Sequence, residues 1–285
     1  MAKQKLNTQA VGLDIGLSFV KWLTGAENLH YGLWTGLDVT AANLRAAQEA
    51  YTDKLFDLLP QAPCRILDIG GGAGETAKKL IALGHEVVIV VPSPFLAERC
   101  RANAPKADVH ECMFEDFSGS GDFDICLFSE SFQYIPLDQS IPRCLELLNP
   151  GGQIIVSDCF RSPAFAIAPG TSTVGGGHPI AKFRDALASM PLKVVSEEDI
   201  TEATAPSVEI EQGLFNVIGY GISRIDDELS TKRPRLRWIL NRVIRSLINE
   251  RKRARLNQRL NQQTRNREVF VRNNVYLMMV LKPTG

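Results

Sequence analysis

The stretch Arg65-Ile66-Leu67-Asp68-Ile69-Gly70-Gly71-Gly72-Ala73-Gly74 decides how the rest of the chain is read. Five residues of strand character end at an aspartate and a glycine-rich turn, and a helix-forming stretch follows to Leu83. Glycines at such a turn remove the side chains that would hold the backbone away from a bound nucleoside, and the helix start behind them presents free N–H groups. A dinucleotide fingerprint beginning at Gly70 needs glycine at position 75, which is Glu75. Gly70, Gly72 and Gly74 instead give Gly-x-Gly-x-Gly, a spacing that disfavours a nicotinamide dinucleotide.

Outward from this turn, apolar runs alternate with helical stretches from Pro63 to Asp158, the rhythm of a parallel sheet covered on both faces. The pattern predicts strands at Arg65–Ile69, Glu86–Val91, Asp108–Met113, Phe123–Ser129 and Gly152–Asp158. Helices are predicted at Gly74–Leu83, Pro94–Asn103 and Gln139–Leu147. Lys182–Ala188 reads as a further helix, Leu192–Glu197 as a sixth strand and Tyr276–Lys282 as a seventh. Residues 1–59 read as a helical lid rich in aromatics, residues 60–200 with 275–285 as the α/β core, and residues 201–274 as an inserted helical cap.

The bulk composition is that of an ordinary globular protein, with 45% hydrophobic and 22% charged residues over a length that buries a sizeable core. The longest apolar runs, such as Val87 to Val91, fall far short of the roughly 20 residues a membrane span requires. The start of the chain lacks the unbroken apolar region of a signal peptide, so a cytoplasmic location is expected. Six scattered cysteines without a Cys-x-x-Cys pair read as buried thiols, and no metal-binding motif is evident.

Several motifs in order resemble class I S-adenosylmethionine-dependent methyltransferases, especially the small-molecule sterol, tocopherol and ubiquinone type, over residues 28–285. Besides the glycine turn, Phe123-Asp124-Ile125-Cys126-Leu127-Phe128-Ser129-Glu130 is similar to that family's fourth strand. Leu148-Asn149-Pro150-Gly151-Gly152-Gln153-Ile154-Ile155 is similar to its turn into the fifth strand, and His30-Tyr31-Gly32-Leu33-Trp34 to its aromatic lid motif. The resemblance implies a Rossmann-like seven-stranded sheet whose last pair is antiparallel, with S-adenosyl-L-methionine in the crevice at the carboxyl ends of the strands. Carried over by motif, Tyr31 and Trp34 close over the cofactor, and Asp68 orients the turn and the methionine end. Gly70, Gly72 and Gly74 admit the nucleoside, and Ser129, Glu130 and Ser131, up to Phe132, flank it.

Two positions depart from the family. The acid that binds both ribose hydroxyls after strand two falls on Val91, and the aspartate near adenine falls on Met113. Ser93 is the expected substitute at the ribose. Met113 is expected to pack on the adenine ring, with the Phe114 backbone and Glu115 or Asp116 reaching its amine. A lost charge-assisted hydrogen bond costs about 1.5–3 kcal/mol, which a site can absorb. The same departures also admit a reaction other than methyl transfer on this fold. For an acceptor that must lose a proton, His178, in Gly175-Gly176-Gly177-His178-Pro179, is the candidate base, with Tyr134 and Asp158 as alternatives. The expected acceptor is a hydrophobic small molecule such as a lipid, a quinone, or a sterol-like or polyketide-like compound.

The net charge of zero hides an asymmetry, since Lys232 to Arg267 holds thirteen Lys or Arg against Glu250 alone. Within it, Leu236, Ile239, Leu240, Val243, Ile244, Leu247 and Ile248 recur at three- and four-residue spacing among arginines, with Trp238 beside them. A helix of this kind over Leu236–Leu260 has three readings: a membrane-surface helix at the inner face of a bilayer, a basic lid over an anionic substrate, or a packed cap with a solvated outer face. Nucleic-acid binding ranks low, because the arginines flank a coherent apolar stripe and no aromatic-interleaved motif appears.

Overall fold

The computed structural model describes residues 8–119, 121–165, 174–261 and 265–284. At its centre is one seven-stranded sheet in the order β3-β2-β1-β4-β5-β7-β6. The strands are β1 (Arg65–Ile69), β2 (Glu86–Val90), β3 (Asp108–His110), β4 (Phe123–Ser129), β5 (Leu148–Arg161), β6 (Leu192–Asp199) and β7 (Asn274–Pro283). The first five run parallel, while β7 enters antiparallel between β5 and β6. This is the sheet that the sequence predicts. The third strand stops at His110, before the expected Met113, and β5 is extended at both ends.

Side-chain alternation sends each strand's residues into two cores. Ile66, Ile89, Ile125, Leu127, Ile155, Tyr276 and Met278 face one side. Leu67, Val88, Cys126, Phe128, Val156, Leu277 and Met279 face the other. Both sides are apolar because helices cover both faces of the sheet. One face carries α3 (Glu75–Ala82), α4 (Pro94–Asn103) and α2 (Leu44–Phe56). The opposite face carries α5 (Leu137–Leu147) and α6 (Ile180–Ala188). All six cysteines are free thiols, with Cys100, Cys126, Cys144 and Cys159 buried.

The N-terminal segment, α1 (Thr8–Thr24) followed by an extended run and α2, folds over the carboxyl ends of β1 and β4. An ionic latch holds it there. Glu27, only 4% exposed, accepts from Arg99 Nε (2.8 Å) and Nη2 (2.5 Å), from Lys21 Nζ (2.5 Å) and from Asn103 Nδ2 (2.9 Å). Burial alone would raise this carboxyl, but the hydrogen bonds from Arg99, Lys21 and Asn103 hold it at about 2.

Between β6 and β7 lie α7 (Thr201–Thr204), α8 (Pro206–Lys232), α9 (Pro234–Leu247), α10 (Glu250–Asn261) and α11 (Arg267–Asn273). The single basic helix expected over Leu236–Leu260 is broken at Ile248 and Asn249. Asn249 Oδ1 accepts from Lys252 N (2.9 Å), a side-chain cap that starts α10 afresh. Nor is the apolar stripe of α9 packed, since Leu236, Ile239, Leu240, Val243 and Ile244 are 41–51% exposed. The side chain of Leu247, also expected on this stripe, lies outside the described set. No helix among the described residues is long and apolar enough to cross a membrane.

The latch has a defined pH signature. Because its folded value lies below the ordinary 4.5, Glu27 contributes stability that is complete above that pH and is lost as pH falls towards about 2. Glu27→Gln is expected to unfold at lower denaturant, by about 3 kcal/mol at neutral pH. Urea titrations across pH should show the gap from the native protein closing only on acidification, and a gap that stayed constant down to pH 2 would contradict the latch.

Candidate functional site

Asp68, the last residue but one of β1, points into the glycine turn and is 1% exposed. Its Oδ2 has no hydrogen-bond partner, and burial pushes the carboxyl up to about 7. It does not cap α3, whose N-terminal position is Gly74 without a side-chain bond. Gly70 is fixed by both conformation and space, with φ of 74° and a position where a Cβ would lie 2.4 Å from that of Ser131. The turn is open on the outer side, where a side chain at Gly72 would meet only Leu29 of the lid, 3.8 Å away.

Across the crevice, at the end of β4, Glu130 is the one non-glycine residue with positive φ (57°) among those described. A strained backbone of this kind is held in place by its surroundings. Its Oε1 accepts from Tyr31 N (2.6 Å) and from the Tyr276 hydroxyl (2.8 Å), so a single oxygen joins lid, β4 and β7. The Tyr51 hydroxyl lies 3.0 Å from that of Tyr276 and donates to Ser157 Oγ at 2.6 Å. Tyr51, Ser157 and Tyr276 are fully buried. Burial raises the Glu130 carboxyl to about 8, against the lowering effect of the two bonds it accepts. Sequence reading missed Tyr51, Ser157 and Tyr276 because nothing local marks them. Tyr51 is 106 residues from Ser157 and 225 from Tyr276.

The structure thus places Tyr31, Glu130 and Ser131 beside the turn of Asp68, Gly70 and Gly72, while Gly74 serves packing, since a Cβ there would lie 2.9 Å from the Cys100 Cα of α4. Ser131 works as a tie, its hydroxyl donating to the Ile69 carbonyl, and Ser129 Oγ lies 3.4 Å from the Tyr51 hydroxyl. Trp34 has a different place. Its indole N–H donates to Ser207 Oγ (2.9 Å) and the ring packs with Leu44 and Ala47, which makes it an anchor of the lid. Ser93 Oγ caps α4 by accepting from Leu96 N (3.3 Å), and Val91 is buried beside it. Beyond β3, Met113 is 46% exposed and Phe114 is buried. A Glu115 carboxylate oxygen is buried with no partner. An orphaned acceptor is what an exocyclic amine requires and the glycine turn leaves room for backbone approach, so the residues present fit an adenine nucleoside.

The candidate bases fare differently from expectation. His178 Nε2 lies 2.9 Å from the Ile135 carbonyl and 3.3 Å from that of Phe132. Carbonyls only accept, so this nitrogen carries a proton and cannot take one. The glycines before it do not serve merely to expose a loop. Gly177 has φ of 88° and lies so close to β5 that a Cβ would sit 1.9 Å from the Cys159 carbonyl. Asp158 is fully buried with its oxygens occupied by Cys159 N (2.7 Å) and Gln133 N (3.1 Å), which assigns it to holding the turn after β4. Tyr134 stands 64% exposed on that turn. No cluster of metal-ligating side chains occurs among the described residues.

Comparison with known proteins agrees with this geometry. Residues 66–152 match the methyltransferase domain family. A ubiquinone biosynthesis O-methyltransferase of Xanthomonas oryzae is 29% identical over 143 residues, which span 47% of this chain and 60% of that protein. Among solved structures, the cyclopropane synthase MmaA2 of Mycobacterium tuberculosis superimposes with a TM-score of 0.68 at 15% identity, covering 98% of this chain and all of that one. The geranyl diphosphate C-methyltransferase of Streptomyces coelicolor, solved with S-adenosyl-L-homocysteine, gives 0.61 at 15% identity over 95% and 98% of the two chains. At such identities the structural likeness is one of fold. Residues 66–152 thus carry a methyltransferase domain, and the sheet order and glycine turn give the chain the fold of class I S-adenosylmethionine-dependent methyltransferases.

Proposed function

We propose that this protein is an enzyme that transfers a methyl group from S-adenosyl-L-methionine to a hydrophobic small molecule. The observation that carries this reading is the pairing, across one crevice, of an open glycine cradle over unpartnered Asp68 with the fixed carboxyl of Glu130. When bound, the cofactor supplies an electrophilic methyl group. The chain supplies the rest: Gly70 and Gly72 let the backbone close on the nucleoside, Glu115 accepts from its amine, and the lid from Glu27 to Tyr31 excludes water. Much of the rate of such a transfer comes from holding the two reactants in line.

For an acceptor that must lose a proton, Glu130 is the better candidate than His178 or Tyr134. Its carboxyl is poised near neutrality at about 8, and its geometry is fixed by Tyr31 and Tyr276. An acceptor such as a quinone precursor or other lipid-like compound accords with the relatives' chemistry and with the apolar and aromatic surroundings of Tyr31, which lies edge-on to Phe270 at 5.7 Å. Such acceptors partition into lipid, and the exposed aliphatic stripe of α9 supports a position peripheral to the inner face of a membrane.

Calorimetry with S-adenosylhomocysteine should show saturable binding, weakened about ten- to hundredfold in Glu115→Ala through the lost bond to the amine. The absence of heat at millimolar ligand would overturn the cofactor assignment, and a product heavier by anything other than a methylene would overturn the reaction.

The raised carboxyls set a second test. A group whose folded value exceeds 4.5 contributes stability that is present below that pH and lost as pH rises through about 8, and Asp68 acts in the same sense. The melting temperature of the free protein is therefore expected to fall between about pH 5 and 9, with a shallower slope in Glu130→Gln. Turnover should rise with pH as Glu130 ionises, and the variant should lose about 10²–10⁴-fold in kcat while still binding S-adenosylhomocysteine. An unchanged pH profile in the variant would remove Glu130 from the proton transfer.

A further inference from the structure

At 100° per residue, Leu236, Ile239, Leu240, Val243 and Ile244 fall within an arc of about 140° on α9. Each of the five is 41–51% exposed, so no element covers that arc. Trp238 lies on the opposite flank, where the Arg242 guanidinium stands 5.5 Å from its ring centroid. The helix is pinned to α8 by a paired contact, Arg237 Nε and Nη2 to the Asp226 carboxylate at 2.7 and 2.8 Å. Arg233, Arg235, Arg242 and Arg245 have no carboxylate partner among the described residues, and Arg235 and Arg242 border the aliphatic arc beside Ile239.

These features exclude two of the three readings the sequence allows. A packed cap would bury the stripe, and the stripe is bare. A basic lid would close on the crevice, but the element that α9 packs against is α8. A second copy of the chain is disfavoured as the covering partner, because it would bring another set of unpaired guanidiniums against the first. An anionic lipid surface meets both needs, since acyl chains take the aliphatic arc and headgroup phosphates take the arginines.

We infer that α9, braced by α8, is a docking element that lies in the headgroup layer of an anionic bilayer with its aliphatic arc turned to the acyl chains and Arg235 and Arg242 at the phosphates. This rests on the proposed lipid-like acceptor only for its purpose, since docking itself requires nothing of the crevice. The bracing helix is also the one that holds the lid. Ser207, in the first turn of α8, accepts from Gly32 N (3.0 Å) and from the Trp34 indole (2.9 Å). One helix of 27 residues, about 40 Å long, therefore runs from the lid to the docking surface.

The test is co-sedimentation of the full chain with phosphatidylglycerol vesicles and with phosphatidylcholine vesicles. Binding is expected to the first, to fall steeply with salt, and to be weak to the second. Leu240→Asp should lose binding, and Arg235→Gln with Arg242→Gln should weaken it about fivefold for each arginine. Unchanged S-adenosylhomocysteine affinity in these variants would establish that they are folded, and keeps a failure of docking separate from a failure of the cofactor assignment. Equal recovery with and without vesicles, or full binding by Leu240→Asp, would overturn the inference. So would a dimer in sedimentation velocity that Leu240→Asp converts to monomer, or RNA binding that survives Leu240→Asp but not the arginine changes.

Discussion

Glu130 Oε1 is the point on which the site is assembled. Its two donors come from residues 99 and 146 positions away, the lid backbone at Tyr31 and the Tyr276 hydroxyl on the last strand. To receive both, the backbone after β4 must turn at once into the left-handed region, which costs a residue with a Cβ of the order of 1 kcal/mol. The two hydrogen bonds it accepts, each worth about 0.5–1.5 kcal/mol, offset that cost. They also determine what the site is. Without the Tyr31 contact the lid loses its bond to the end of β4, and without Tyr276 the hydroxyls of Tyr51 and Ser157 no longer connect to it.

Carboxyls of one chemical type are driven in opposite directions here by their neighbours. Glu27 is buried among Arg99, Lys21 and Asn103 and is held ionised. Asp68 and Glu130 are buried with no basic partner and are held towards the neutral acid. The first is a latch, strong because two cations meet it in a nearly dry place. The other two have no basic hydrogen-bond partner among the described residues, an environment that favours a cationic ligand over a neutral one. A sulfonium is such a ligand, which is why the electrostatics and the glycine cradle point to the same cofactor.

The inserted segment shows how one helix serves two ends. The first turn of α8 is buried and hydrogen-bonded to the lid, whereas its far end carries α9 away from the sheet. Packing explains the first end and does not explain the second. Five half-exposed aliphatic side chains beside unpaired arginines are costly in water unless another surface receives them.

Hydrophobic period makes the sheet legible in the sequence, because strands buried on both faces must be continuously apolar and the helices between them must be amphipathic. The strand from Arg65 to Ile69, the strand ending at Ser129 and the late strand at Tyr276 are legible for that reason. The glycine turn, too, is legible locally, since the left-handed backbone at Gly70 needs a missing side chain, although its close approach to Ser131 is set by the fold. What tertiary structure alone decided is the partner of each polar group. His178 reads as a base until two carbonyls claim its Nε2, Trp34 reads as a cofactor cover until Ser207 holds its indole, and Tyr276 reads only as a strand residue until Glu130 stands opposite. Periodicity is written along the chain, but a hydrogen-bond partner is chosen by folding, which in these three cases brings together atoms from residues 43 to 173 positions apart.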